Sequence, residues 1–98
     1  MNFQERLLKS IPGGSHTYSR GYDQYPENAP EILEKADGAY TFDPMGNKFL
    51  DYGMALRAVN IGYSNQHVNK AAIKQINLGN NLTRASLIEL EAAELLIE

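Results

Sequence analysis

Two arginines are the residues of this chain best suited to bind an anion. Arg20 lies in a loop bounded by glycine and tyrosine, and its guanidinium is a rigid fork of donors that matches the two oxygens of a carboxylate. Arg57 lies in an apolar stretch, so its charge must reach water or pair with an anion, because an unpaired buried charge is too costly. The sequence leaves the partner of Arg57 open between Asp51, another subunit and a bound ligand. It also leaves open that Arg20 is a solvated loop residue.

The other side chains that carry chemistry give weaker signals. Five lysines lie in contexts that predict exposure to solvent, beside turns or on polar helix faces: Lys9, Lys35, Lys48, Lys70 and Lys74. We therefore predict no reactive amine among them. His16 and His67 are far apart in the sequence, with no Cys, His or carboxylate cluster at metal-ligand spacing beside them. No metal site is predicted.

A small antiparallel meander is the element most clearly encoded near these residues. Asp37-Gly38 predicts a type I′ hairpin turn, in which both central residues have positive φ, between strands over residues 31–36 and 39–42. Asp43-Pro44-Met45-Gly46 predicts a second tight turn. A third strand is expected over residues 48–52, where aromatic residues suit cross-strand packing.

Helices are predicted on both sides of the meander, so the fold class is an α+β segment. The first helix covers residues 2–10 and stops at Pro12-Gly13-Gly14. A second is capped by Ser64 or Asn65 and ends at Gly79. Ser86 and Glu89 form a capping box for the last helix. Its predicted apolar stripe consists of Leu87, Leu90, Ala93 and Ile97.

Composition narrows the function classes. The 98 residues carry a net charge of -3, from 9 Lys+Arg against 12 Asp+Glu, with no basic run. Binding to nucleic acid or to an anionic membrane is therefore not expected. No cysteine, membrane-length apolar run or signal peptide is found, so a cytoplasmic protein is the default. A chain of this size could fold alone, but only marginally.

The last helix predicts that the sequence continues. It runs to Glu98 without a Gly, Asn or Pro to end it, whereas a finished domain generally closes its last helix with a stop signal. An incomplete chain explains this, and so would a small domain with a frayed end or a dimer that pairs these helices.

The quoted residues carry a resemblance to a known family. Asp37-Gly-x-Tyr-x-x-Asp43-x-x-Gly46, followed by Asp51-Tyr52, resembles the N-terminal signature of class III pyridoxal-phosphate (PLP) aminotransferases, especially the glutamate-1-semialdehyde 2,1-aminomutase group. Other segments agree in order: Ile11-Pro12-Gly13-Gly14, Arg20, Gly62 and residues 89–95. The resemblance covers nearly all of the chain but only the opening portion of such an enzyme.

The resemblance implies a role for this portion. The complete enzyme would be a homodimer of PLP-dependent fold type I (α/β), acting on an amino or keto acid. Its Schiff-base lysine and large cofactor-binding domain would lie downstream, so residues 1–98 would hold no catalytic or cofactor-binding residue. Arg20 falls on the arginine that binds the substrate carboxylate, and Thr17 falls on a polar position close by.

This chain also departs from the aminomutase pattern. The family has an aromatic residue at the position of Leu56 and no arginine at that of Arg57, and its Gly-His-x-His-Pro is replaced by Gly62-Tyr-Ser-Asn-Gln66. Arg57 is therefore a candidate substrate ligand, with a structural ion pair as the alternative. The sequence does not decide whether the substrate is another acid or a sugar-linked compound. It also does not decide whether the reaction is transamination or an intramolecular amino shift. The alternative interpretation, from a different class of function, is that the chain is a free-standing α+β module that binds a protein partner.

Overall fold

The computed structural model of the chain describes residues 2–98, which divide into two compact units, residues 2–65 and residues 66–98. The elements are α1 (Phe3–Ser10), β1 (Lys35–Asp37), β2 (Tyr40–Phe42), β3 (Lys48–Leu50), α2 (Met54–Arg57), α3 (Gln66–Leu78) and α4 (Leu87–Ile97). Three short 3₁₀ turns, Pro12–Gly14, Tyr18–Arg20 and Tyr22–Gln24, lie between α1 and β1. The helices and the three-stranded antiparallel sheet agree with the predicted α+β segment.

Helix α1 ends where its sequence predicts and begins one residue later, because Asn2 is its N-cap. Asn2 Oδ1 accepts from the Glu5 backbone N–H at 2.8 Å, and Glu5 Oε2 accepts from the Asn2 N–H at 3.0 Å. This capping box satisfies two N–H groups that the first turn leaves free. Gly13 and Gly14 follow the helix with φ of 75° and 80°, a conformation that glycine adopts without steric cost. The predicted helix stop is confirmed.

The hairpin between β1 and β2 corrects the predicted turn. Asp37 pairs with Tyr40, so the two central residues are Gly38 and Ala39 rather than Asp37 and Gly38. Of these four residues only Gly38 has a positive φ, +58°, as in a type II′ turn with glycine first. The type I′ prediction was wrong because it required a left-handed aspartate, whereas one glycine is enough for the alternative turn.

The turn between β2 and β3 is confirmed, and it is built around a buried carboxylate. Asp43 Oδ1 accepts from the backbone N–H groups of Met45 at 3.0 Å and Asn47 at 2.8 Å, while Oδ2 accepts from Asn47 Nδ2 at 2.8 Å. Asp43 is only 5% exposed. Gly46 completes the turn with a φ of +86°.

The outer strands are shorter than expected. Strand β1 begins at Lys35 and β3 ends at Leu50, instead of residues 31 and 52. Strand β3 stops because the carboxylate of Asp51 accepts the backbone N–H of Gly53, which turns the chain out of the ladder. Tyr52 is consequently 86% exposed, so it does not pack on the sheet as predicted.

Both helices of the second unit are confirmed. Helix α3 ends at Gly79, which has a φ of +111° and whose carbonyl accepts from Gln75 Nε2 at 2.9 Å. Helix α4 begins with the predicted capping box, in which Glu89 Oε2 accepts from the Ser86 N–H. The predicted apolar stripe does not set one face of α4 apart, because further apolar residues lie on the opposite side: Ile88, Ala92, Leu95 and Leu96. A helix apolar on most sides is typical of a buried position.

Few side chains of the described residues are buried. Among residues 2–98 no apolar side chain is buried, and the buried polar side chains are Thr41 and Asp43, each 5% exposed. At the end of α4, Leu95, Leu96 and Ile97 are 73%, 87% and 85% exposed. The sequence predicted that this chain could fold alone only marginally, and residues 2–98 bury no apolar side chain. The three-residue strands and the helices present apolar faces that these residues do not cover. No helix described in this range is long and apolar enough to cross a membrane.

Candidate functional site

The loop that carries Arg20 is ordered by its own hydrogen bonds. Ser15 Oγ donates to the Thr17 carbonyl at 2.7 Å, the Arg20 N–H donates to the same carbonyl at 3.2 Å, and the Gly21 N–H donates to the Tyr18 carbonyl at 3.0 Å. Gly21 is buried, and a Cβ there would lie 3.0 Å from Asp23 Oδ1 and 3.1 Å from the Tyr18 carbonyl oxygen. The close turn at Gly21 therefore determines the direction of the Arg20 side chain.

Arg20 lies beside the other predicted residue of this loop. Its Nη1 is 3.4 Å from Thr17 Oγ1 and 3.3 Å from His16 Nε2. Both contacts are long for hydrogen bonds, so they orient the guanidinium while most of its five N–H donors remain exposed. The loop borders a solvent-open cavity of about 400 Å³, whose lining includes His16, Thr17, Tyr18 and Tyr22. Sequence reasoning did not predict that His16 lies beside Arg20.

Arg57 lies at the end of α2, which has an unusual backbone. Met54, Ala55, Leu56 and Arg57 all have positive φ, at 49°, 49°, 60° and 76°. A left-handed turn costs roughly 1–2 kcal/mol for each residue that carries a Cβ, and such a conformation persists only where surrounding contacts impose it. The side chain of Arg57 is exposed.

Asp51 binds backbone groups at the start of α2 rather than pairing with Arg57. Its Oδ1 accepts from the backbone N–H groups of Gly53 at 2.8 Å and Met54 at 3.1 Å. Its Oδ2 accepts from the Tyr63 hydroxyl at 2.7 Å. Among the residues described, 2–98, Arg57 has no ion pair with Asp51, so that one of the three predicted partners is excluded. We call Asp51 and Tyr63 the Asp51–Tyr63 pair.

Tyr63 is anchored and electrostatically perturbed. Its N–H and carbonyl pair with Gly38 at 2.8 and 2.9 Å. Burial raises the pKa of its hydroxyl, and the hydrogen bond and charge of Asp51 raise it further, while the Ala55 backbone N–H and the charge of Arg20 oppose the rise. The hydroxyl stays protonated at neutral pH and donates to Asp51. Sequence reasoning missed Tyr63; Gly62, which allows close backbone approach, was the available signal.

The five lysines are all exposed. Two of them stack on aromatic rings of the sheet: Lys48 Nζ is 3.9 Å from the ring centroid of Tyr40, and Lys35 Nζ is 5.2 Å from that of Phe42. These are cation–π contacts on a solvent-exposed surface. Among residues 2–98, no three His, Asp or Glu side chains are grouped to hold a metal ion.

The fold is that of one segment of the PLP-dependent aminotransferases. The FumI protein of Sphingopyxis sp., solved in its PLP internal aldimine form, matches with a TM-score of 0.81 and 29% identity over 94% of this chain and 22% of that one. An omega-transaminase from Sphaerobacter thermophilus matches with a TM-score of 0.79 and 26% identity over 96% of this chain and 20% of that one.

Sequence comparison points to the same family. Glutamate-1-semialdehyde 2,1-aminomutase 2 of Lachnoclostridium phytofermentans is 34% identical over 94 residues, which are 96% of this chain and 22% of the relative. No family model matches the chain. The resemblance to the N-terminal part of class III PLP aminotransferases and aminomutases is thus confirmed. The chain spans about a fifth of the length of the relatives that it matches.

Proposed function

We propose that this chain is the N-terminal part of a PLP-dependent aminotransferase or aminomutase and that it binds the carboxylate of an amino or keto acid substrate. The observation that carries the proposal is the ordered loop with Arg20 next to Thr17, within a chain similar to such enzymes over nearly all its length. The large domain that binds PLP lies outside residues 1–98.

Each candidate residue has a distinct task in this proposal. The fork of Arg20 binds the substrate carboxylate, and the Thr17 hydroxyl restricts the guanidinium to orientations that face the ligand. Arg57 offers a second positive charge, which suits an anionic group elsewhere on the substrate. A carboxylate bound this way is held in place before any bond changes, which lowers the entropic part of the barrier.

PLP, when bound, acts as an electron sink for carbanion chemistry. The residues described here do not fit it: a Schiff-base lysine needs an amine activated by desolvation or by a neighbouring cation, whereas all five lysines are exposed. We therefore assign no lysine of this chain to the cofactor. The proposal requires that other residues hold PLP and perform the proton transfers.

Assembly and location are further parts of the proposal. A cytoplasmic homodimer is what the family resemblance implies. The alternative of a free-standing interaction module is less well supported, because the described residues bury no apolar side chain. A module that folds by itself needs such a core.

The test is made on full-length protein expressed from the complete reading frame. We expect a PLP absorbance band that borohydride reduction fixes to a lysine beyond residue 98, together with amino-group transfer to or from an acidic substrate. A protein that neither binds PLP nor turns over any amino or keto acid would overturn the proposal. Attachment of PLP to Lys9, Lys35, Lys48, Lys70 or Lys74 would contradict the assignment of the cofactor site.

A further inference from the structure

The left-handed conformation of α2 has no cause within its own sequence. Met, Ala, Leu and Arg are all good formers of right-handed helix, and none of them favours positive φ. The backbone is held from outside, because Asp51 accepts the N–H groups of Gly53 and Met54. Within the turn, the Arg57 N–H donates to the Gly53 carbonyl at 3.0 Å and the Val59 N–H to the Met54 carbonyl at 3.0 Å.

Asp51 is itself held by a residue that is fixed to the sheet. The Tyr63 hydroxyl donates to Asp51 Oδ2 at 2.7 Å, and the Tyr63 backbone exchanges two hydrogen bonds with Gly38 in the hairpin turn. Gly62 makes this approach possible: its φ is +90°, and a Cβ there would lie 3.3 Å from Gly38 Cα and from its carbonyl oxygen. The hairpin, Tyr63, Asp51 and α2 thus form one continuous chain of contacts.

This arrangement determines where Arg57 is presented. The hydrogen bonds from Asp51 bind the backbone at the start of α2, whereas the side chains of Leu56 and Arg57 at its end are exposed. In a left-handed turn the Cα–Cβ bonds point in directions that a right-handed turn cannot reproduce. If Asp51 no longer accepted these hydrogen bonds, α2 could return to right-handed φ and ψ values. The guanidinium of Arg57 would then move from its present position.

We propose that Asp51 and Tyr63 are positioning residues that fix α2 in its left-handed form and thereby aim Arg57 at an anionic group of the substrate. They act through Arg57 and do not touch the reacting atoms. This inference rests on the proposed function, since it assumes an acidic substrate. It assigns part of the substrate specificity of this chain to Arg57.

The test is a double-mutant cycle in the full-length enzyme with Tyr63→Phe and Arg57→Ala. Tyr63→Phe removes one hydroxyl and keeps the ring and the backbone pairing with Gly38. We expect it to raise KM for the acidic substrate about tenfold with kcat within about twofold, and to have an effect of less than about twofold on KM when Arg57→Ala is already present. Tyr40→Phe, which removes a hydroxyl from the sheet, is the matched control and should leave KM and kcat unchanged.

Three results would overturn the positioning role while leaving the proposed function intact. One is that the effects of Tyr63→Phe and Arg57→Ala multiply independently. Another is that Tyr63→Phe couples to Arg20→Ala instead. The last is a fall in kcat with KM unchanged. Circular dichroism and the cofactor absorbance band show whether each variant folds. If Tyr63→Phe does not fold, Asp51→Asn replaces it in the same cycle. Wild-type protein without turnover would instead overturn the proposed function, and this inference with it.

Discussion

Arg20 shows how a single residue acquires a role from its immediate neighbours. The guanidinium lies 3.4 Å from the Thr17 hydroxyl and 3.3 Å from the His16 ring, three and four residues earlier in the chain. Such short-range contacts need only a tight loop, which Gly21 and the 3₁₀ turn Tyr18–Arg20 supply. The proximity of Arg20 and Thr17 therefore follows from local sequence, although their assignment to the substrate carboxylate remains a prediction.

Arg20→Lys is the sharpest test of that assignment. Lysine keeps the charge but loses the planar fork, so the two parallel hydrogen bonds to a carboxylate cannot form. We expect KM for the acid substrate of the full-length enzyme to rise about tenfold or more, since bonds to charged groups contribute about 1.5–3 kcal/mol. Arg6→Lys on α1, where the guanidinium lies 5.5 Å from the Phe3 ring centroid, is the control. An unchanged KM for Arg20→Lys would exclude carboxylate binding by this residue.

Asp43 has a pH-dependent structural role that can be measured locally. The Asn47 side chain, with the backbone N–H groups of Asn47, Met45 and Gly46, lowers the pKa of Asp43 below 3.8, and burial opposes this only in part. A lowered pKa means that the stabilisation is present above the unfolded value and is lost as pH falls through the folded value.

Asp43→Asn should therefore speed amide hydrogen exchange at Met45 and Asn47 at neutral pH. The difference from wild type should shrink as the pH falls below about 3.8, because protonation then removes the charge from the native residue as well. Mass spectrometry of peptides that span residues 43–47, corrected for intrinsic exchange rates, gives the measurement. Asp23→Asn in the exposed loop is the control. A difference that persists unchanged to low pH would show that the charge of Asp43 does not stabilise the turn.

The β1–β2 hairpin is joined to a later segment of the chain where two glycines face each other. Gly38 turns the β1–β2 hairpin, and Gly62 lets Tyr63 pair with it from a distant part of the chain. A side chain at Gly62 would meet backbone atoms, which cannot move aside as a flexible side chain can. Gly62 is therefore required for sterics as well as for its positive φ.

Gly62→Ala and Gly46→Ala separate these two requirements. Both residues have similar φ, +90° and +86°, but a Cβ at Gly46 meets nothing within 4 Å, whereas one at Gly62 lies 3.3 Å from Gly38. We expect Gly46→Ala to cost about 1–2 kcal/mol of unfolding free energy and Gly62→Ala to cost clearly more. Urea denaturation of the full-length protein measures both. Equal losses would mean that the approach of Gly62 to Gly38 relaxes without cost.

No apolar side chain of residues 2–98 is buried. Helix α4 has apolar side chains on most sides, and large apolar residues throughout residues 2–98 are exposed. Burial of apolar surface is the dominant favourable term in folding. These surfaces therefore need other polypeptide to cover them, which agrees with a chain that spans about a fifth of its relatives.

The isolated 98-residue chain should consequently behave as an incompletely folded protein. We expect a broad thermal transition, binding of the dye ANS to exposed apolar surface, and concentration-dependent association in gel filtration. Added PLP should give no stable Schiff-base band, since all five lysines are exposed. A monomer with a sharp cooperative transition and no ANS binding would show that these residues form a self-sufficient domain.

Local sequence determined the caps, stops and turn residues of this chain. Asn2, Ser86, Gly79 and the Asp43 turn act on backbone groups only a few positions away, so their effects could be predicted without a fold. The left-handed α2 and the Asp51–Tyr63 pair could not be predicted. Met, Ala, Leu and Arg favour the opposite hand, and only tertiary closure brings Tyr63 onto Gly38 and Asp51, across 25 and 12 positions. The tertiary contacts prevail because a backbone preference of roughly 1–2 kcal/mol per residue is overcome by several hydrogen bonds acting together.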